Sequence, residues 1–291
     1  MIKKKLKNNA KKIDKFLIGF LKKQKKSSLI RPMKYGVISG GKKIRSTIVF
    51  DAGKIFKINE KKLINICAAI ECIHSYSLIH DDLPCMDNDS VRRGKPSTHI
   101  KFGEASAVLA GSSLLTLAFE IITDKKYILN NKSKNEIVRS LAKCSGHTGI
   151  AEGQELDLKY ENKKKNVKQI IDMQKKKTGK LFNFCLYAVG VVANKNEETK
   201  NYLSILGEEI GLLFQLADDF LDNTGSKKLT GKPVRNDNKK GKSTLLSLFG
   251  EKKAYLYAYN LKKKILRKLK KHGKKAEELI STIEFILERK F

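Results

Sequence analysis

Two segments of this chain are apolar on nearly every helical face and yet finish in clustered aspartates. LINICAAIECIHSYSLIH, residues 63–80, runs straight into Asp81 and Asp82, and YLSILGEEIGLLFQLADDFLD, residues 202–222, carries Asp218 and Asp219 and ends on Asp222. A helix that is apolar all round belongs in an interior. Carboxylates at its end cannot be buried there unpaired, because an isolated charge in a low-dielectric surrounding is expensive. Something cationic must therefore meet both clusters.

Helical periodicity runs through the rest of the chain, and no sustained period-2 alternation bounded by turn pairs competes with it. The fold class expected is all-α, with helices over residues 13–25, 45–54, 60–81, 102–123, 134–144, 167–193, 198–222, 250–272 and 276–289. A chain of 291 residues can bury about three quarters of its unfolded surface. Only four prolines occur, and no stretch rich in Pro, Gly or Ser reads as a linker, so one domain over residues 1–291 is expected.

The formal net charge of +31 raises nucleic acid as a partner, since lysine and arginine clusters release counterions from phosphate backbones. The composition argues for drift instead. Only eight of the 61 basic residues are arginine, the chain has no Trp, and runs such as KKKILRKLKK mostly lack interleaved aromatics. No nucleic acid partner is expected. The five cysteines are odd in number and show no CxxC spacing, which argues against a disulfide framework or zinc site and fits a reducing cytoplasm. The apolar run at residues 16–21 is far shorter than the ~20 residues a spanning helix needs, so no stable membrane insertion is expected.

Asp218 and Asp222 are four residues apart, so on a helix both carboxylates lie on one face, with Asp219 about 100° round from Asp218. In the first cluster, HDDLPCMDND, Pro84 disfavours helical geometry at Leu83. The helix should end after Asp82, and Asp87 should return on a loop. Two such carboxylate sets suit Mg²⁺, a hard ion that shares oxygen ligands between one or two carboxylates, water and phosphate. Acids at helix ends are common as caps and ion pairs, but two strings closing core helices amid basic motifs are not. Those motifs are SGGKKIRS with Lys42 and Arg45, VRRGKPSTH with Arg92 and Arg93, GQELD, KKTGK with Lys177 and Thr178, Gln215 before the second cluster, and a loop with Lys232 and Lys242. In so lysine-rich a chain any one lysine has a bland solvated reading, whereas a retained arginine points to a need for its bidentate fork.

In this order, the GGKxxR element, HDDLPxMD, RRGxPxxH, KFGEA, GQxxD, KTG, FQxxDDxxD and GKST resemble the trans-isoprenyl diphosphate synthases, and most closely their bacterial farnesyl diphosphate synthases. The resemblance covers residues 35–249. It implies a helical barrel around a deep central cavity, a homodimer, and about three Mg²⁺ per site, with Mn²⁺ as a possible substitute. It implies metal on Asp81, Asp87 and Asp218, with Asp82 and Asp222 assisting. Isopentenyl diphosphate would be held by Lys42, Arg45, His74 and Arg93. The allylic diphosphate would be held by Arg92, Lys177, Thr178, Gln215, Lys232 and Lys242. A lone histidine on an apolar helix is more often a core residue, but His74 stands seven residues before Asp81 and so near the same face. Tyr76 and Ser77, more than a turn below the metal site, would form the floor that stops the growing product at C15, and a C20 or longer product is the alternative. A terpene cyclase would need no second diphosphate pocket, and an inactive RNA-binding protein would show exposed aromatics among its basic runs. Two departures from the family pattern matter below: Ser46 stands where proline is usual, and Lys43 where arginine is frequent.

Overall fold

The computed structural model describes residues 2–38, 40–224 and 241–288. The described residues are helical almost throughout: α1 Ile2–Lys22, α2 Ile30–Ile38, α3 Ile44–Ile55, α4 Ile64–Asp81, α5 Thr98–Phe102, α6 Glu104–Thr123, α7 Asn131–Ser145, α8 Ile150–Lys159, α9 Val167–Gln174, α10 Lys180–Val192, α11 Glu197–Thr224, α12 Leu245–Phe249, α13 Glu251–Lys270 and α14 Glu277–Glu288. The one sheet among them is a two-residue hairpin, β1 Val91–Arg92 against β2 Lys95–Pro96. The all-α expectation holds.

The two apolar segments are central. Along α4, Ile66, Ala68, Ile70, Cys72 and Ile73 are all fully buried, which a one-sided helix could not show. It packs chiefly against α6, as α10 packs against α11. One contiguous hydrophobic core includes Leu6 near one end of the chain and Leu287 near the other.

Among several differences from the sequence expectation, which include α2 and α8 as helices it lacks and an α4 that starts at Ile64, three have a clear local reason. α1 begins at Ile2, because Leu6, Asn9, Ile13, Leu17 and Leu21 form one buried stripe while the lysines between them keep to the outer face. The helix expected over 102–123 is interrupted at Gly103, whose φ of +85° no helix accommodates. The helix expected over 167–193 is broken by a single π turn, Lys175–Gly179, and the ~100° change of phase it introduces is hidden because α10 is buried on nearly every face.

Candidate active site

Pro84 ends α4 as its chemistry requires. The backbone then folds back on itself, with the Asp87 amide donating to the Asp81 carbonyl at 2.8 Å and the Asn88 amide, at φ +50°, to the Leu83 carbonyl at 3.0 Å. This return brings Asp87 beside Asp81. Burial, with the Asp87 carboxylate adding to it and Lys177 opposing, pushes the Asp81 carboxyl up to about 6. Asp82 has a different environment. It is buried and accepts from Arg92 Nε at 2.9 and 3.1 Å on its two oxygens, with Arg92 Nη2 also against Oδ1. Asp89 lies 3.5 Å from the same Nη2.

On α11 the second cluster divides in the same way. Asp219 is buried and accepts from Gln174 Nε2 at 2.9 Å and from Gln215 Nε2 at 2.8 Å. Thr178 completes the chain by donating its hydroxyl to Gln215 Oε1 at 2.6 Å. Asp218 and Asp222 occupy the neighbouring face, both partly buried.

The π turn presents Lys177 and Thr178. Lys177 Nζ donates to Asp157 Oδ2 at 2.6 Å, and Lys242 Nζ donates to that same oxygen at 2.6 Å and to Asp87 Oδ1 at 2.9 Å. Glu161 lies 3.0 Å from Lys242. Burial raises the Asp157 carboxyl, but the two ammonium groups outweigh it and hold the group below its usual range. Burial likewise opposes the charge on Lys242, and the attraction of Asp157 and Asp87 outweighs it, so its pKa is raised. Gly153 lets α8 touch the π turn backbone to backbone: a Cβ there would stand 2.6 Å from the Lys176 carbonyl carbon. Next to it Gln154 is buried with both amide atoms lacking a hydrogen-bond partner among the described residues, which is costly unless a ligand or water meets them.

The cationic half lies on α3, α4 and the hairpin. Arg93 and Gly94, at φ +53° and +73°, form the two-residue turn between β1 and β2, the conformation that tight hairpins favour. The hairpin sends its two arginines apart: Arg92 to Asp82, and Arg93 Nη1 to the Gly40 carbonyl at 2.8 Å. Gly41 must be glycine, being at φ +96° with the Arg93 guanidinium carbon 2.8 Å from where a Cβ would sit. Arg45 Nη1 lies 3.2 Å from His74 Nε2. Since arginine has no acceptor, that nitrogen accepts and the imidazole proton is on Nδ1. Burial, then Arg45 and Arg93, hold the His74 pKa well below its usual value, so the ring is neutral. The Arg45 guanidinium sits 4.8 Å from the Phe182 ring centre and 5.3 Å from that of Phe214, and its Nε has no hydrogen-bond partner among the described residues. It also feels the charge of Asp218, which links this half to the acidic one. Lys42 reaches over the Phe285 ring of α14, 5.6 Å from its centre.

Tyr76 is partly buried against the core and meets the His80 ring edge-on at 5.4 Å. Ser77 donates its hydroxyl to the His74 carbonyl at 3.0 Å. Lys232 lies outside the described residues. Sequence reasoning left out of its site Asp157, the shared partner of two lysines, and Gln174, Phe182 and Glu71. The GQELD string was the available signal for Asp157. Nothing marked the others.

The donor chemistry fits magnesium. Asp81, Asp87 and Asp218 supply hard oxygens, and the raised pKa of Asp81 signals a carboxylate short of positive charge. Among the described residues no three acidic, histidine or cysteine side chains converge closely enough to cage an ion unaided. That suits a metal shared between one or two carboxylates and a substrate phosphate.

Comparison with known proteins agrees with the geometry. The chain is 41% identical over 229 residues to the farnesyl diphosphate synthase of Bacillus subtilis, covering 77% of each chain. It is 36% identical over 266 residues to that of Escherichia coli, covering 90% of this chain and 89% of the other. Among solved structures, an FPP/GFPP synthase from Zymomonas mobilis superimposes with a TM-score of 0.87 at 35% identity, over 98% of both chains. A geranyltransferase from Helicobacter pylori, complexed with magnesium and isoprenyl diphosphate, does so with a TM-score of 0.83 at 31% identity, over 98% of this chain and 96% of the other. Residues 26–283 match the polyprenyl synthetase family model, and with those relatives across most of its length the chain belongs to the polyprenyl synthetase family.

Proposed function

We propose that this chain is a magnesium-dependent farnesyl diphosphate synthase, adding isopentenyl diphosphate to dimethylallyl and then geranyl diphosphate. The observation that carries the reading is the presence of two separate cationic groupings: Lys177 and Lys242 among the aspartates, and Arg45 and Arg93, with the neutral His74 beside Arg45, on the other side of the site. A single diphosphate substrate would need only the first.

In this reading Asp81, Asp87 and Asp218, assisted by Asp82 and Asp222, hold magnesium, which when bound neutralises charge on the allylic diphosphate. Lys177, Lys242, Thr178, Gln215, Arg92 and Lys232 bind that diphosphate. Asp157 keeps the two lysines side by side until phosphate oxygens replace it as their partner. Arg45, Arg93, Lys42 and the neutral His74 bind the isopentenyl diphosphate. The allylic C–O bond breaks with its electron pair leaving on diphosphate. The isopentenyl double bond then attacks the allylic C1, and the C2 proton passes to the released diphosphate. The apolar faces of α4 and α11 exclude water from the cation. Tyr76 and Ser77 set the C15 limit.

The same proposal includes a single domain and a cytoplasmic homodimer formed through α6. That helix carries no basic residue in a chain of net charge +31, and its outward face exposes Val108 at 42% and Leu109 at 53%. Two copies can therefore meet there without bringing lysines or arginines of this helix together. It is also the one helix among the described residues long and apolar enough to cross a membrane, but its other face is buried against α4.

Labelled isopentenyl diphosphate incubated with geranyl diphosphate and Mg²⁺ should give a C15 product on chromatography. Absence of any C10 to C20 product would sink the reading. Sedimentation of the protein as a monomer at micromolar concentration would remove the homodimer.

A further inference from the structure

Beneath the Arg45 and His74 pair lies a buried carboxylate with no role in the reaction as described. Glu71 on α4 is 2% exposed. Its Oε1 accepts the Ser46 hydroxyl at 2.6 Å, and its Oε2 lies 3.7 Å from Lys43 Nζ. Ser46 and Lys43 are two of the positions at which this chain departs from the family pattern, and they converge on one side chain. Lys43 is itself anchored. Its side chain is buried, its backbone sits at φ +42°, and its Nζ also donates to the Val37 carbonyl at 3.0 Å and pairs with Asp14 at 3.3 Å.

The placement has a mechanical consequence. Lys43 and Ser46 flank Arg45 at the start of α3, and Glu71 lies three residues before His74 on α4. One carboxylate thus clamps the turn on both sides of Arg45 to the helix that carries its partner. It also acts as counter-charge, since Glu71 favours the charged forms of both Arg45 and Arg93. Arg45 and Arg93 repel each other across this pocket. Without an anion behind them, the two would separate until a ligand arrived.

We infer that Glu71, held by Ser46 and Lys43, is a positioning residue that presets Arg45, His74 and Arg93 to receive the isopentenyl diphosphate, while touching no substrate itself. The inference rests on the proposed function. Ser46 takes the place of a proline that has no hydroxyl to donate, so in this chain the clamp includes a hydrogen bond that a proline-bearing relative lacks. Ser46 is the third residue of α3, and the first four amides of a helix have no partner within it. Proline can therefore be restored there without breaking the helix.

The test uses steady-state kinetics, with each substrate varied in turn, and calorimetric titration of the metal-free protein with isopentenyl diphosphate. Glu71→Gln should raise both the KM and the Kd for isopentenyl diphosphate about tenfold, the scale of one charge-assisted contact, while the KM for geranyl diphosphate changes less than about twofold. Ser46→Ala and Ser46→Pro should each give a smaller rise of the same selectivity. Ser46→Ala combined with Glu71→Gln should be no worse than Glu71→Gln alone, because the hydroxyl acts through the carboxylate. An equal rise in both KM values, or a lowered Tm with the isopentenyl KM and Kd unchanged, would overturn the inference. Should Glu71→Gln fail to fold, the two Ser46 variants decide by the same criterion. Wild-type protein that makes no prenyl product would defeat the proposed function separately, and the variants' Kd ratios would still judge Glu71.

Discussion

Substituting alanine for Gly153 should damage the allylic half of the site while sparing the other. The added Cβ would stand 2.6 Å from the Lys176 carbonyl carbon, with the Lys177 nitrogen and Cα closer still. Nonbonded carbons rest at about 3.5 to 4.0 Å, so α8 and the π turn must separate by about 1 Å. All three atoms are backbone, and no flexible side chain can absorb the movement. Overpacking of this kind costs about 1 to 3 kcal/mol, which in a chain of this size lowers Tm by roughly 2 to 5 °C. The displaced turn carries Lys177 and Thr178, and a shift of ~1 Å in a positioning group costs on the order of 10²-fold in rate. The expected outcome for Gly153→Ala is a loss of that order in kcat/KM for geranyl diphosphate, with the KM for isopentenyl diphosphate little changed. The second half follows because Arg45, His74 and Arg93 are carried by α3, α4 and the hairpin. Initial rates with each diphosphate varied in turn, together with a circular dichroism melt, measure all three quantities. Wild-type kcat/KM and Tm in the variant would refute the close-packing argument.

Tyr76→Ala should lengthen the product beyond C15 in a chromatographic assay, and an unchanged C15 product would remove Tyr76 as the floor. Asp157→Asn leaves two largely buried ammonium groups without their shared carboxylate, a loss of about 3 to 5 kcal/mol to be read as a lowered denaturation midpoint. The Asp157 carboxyl titrates below its ordinary value in the folded protein. Its contribution is therefore complete above the unfolded pKa and disappears as pH falls through the folded one, so wild-type stability should drop in acid more steeply than that of Asp157→Asn. Asp81 has the opposite sign, its folded pKa being raised to about 6. Protons compete with Mg²⁺ for that carboxylate, so apparent Mg²⁺ affinity measured by titration should fall as pH is lowered through that value, with an inflection that Asp81→Asn removes.

Much of this was legible from order alone. The all-α class, the central position of the two apolar helices, the end of α4 at Pro84 and the returning loop of Asp87 follow from local chemistry, which neighbouring residues decide. Proline lacks an amide hydrogen wherever it is placed, and helix faces follow from 3.6 residues per turn. The π turn was not legible, because α10 is apolar on nearly every face and so hides the ~100° change of phase that one inserted residue causes. Nor was the true start of α1, whose outer face is lysine and resembles a solvated tail. Glu71 looked like an ordinary polar residue on a core helix. Its importance lies in Ser46 and Lys43, which reach it from another helix.

That two groups of aspartates stand at the ends of buried helices and need cations follows from residue order, because spacing along a helix and the cost of burying charge are local facts. How those acids divide depends on the packing of the helices. That packing turned Asp82 to Arg92, and Asp219 to Gln174 and Gln215, and placed Asp81 and Asp87 beside Lys177 and Lys242. Lys242 and Asp87 are 155 positions apart, and Gln174 and Asp219 are 45 apart. Such partnerships depend on how helices pack, and the packing is set by the summed burial of the whole core rather than by the residues that meet.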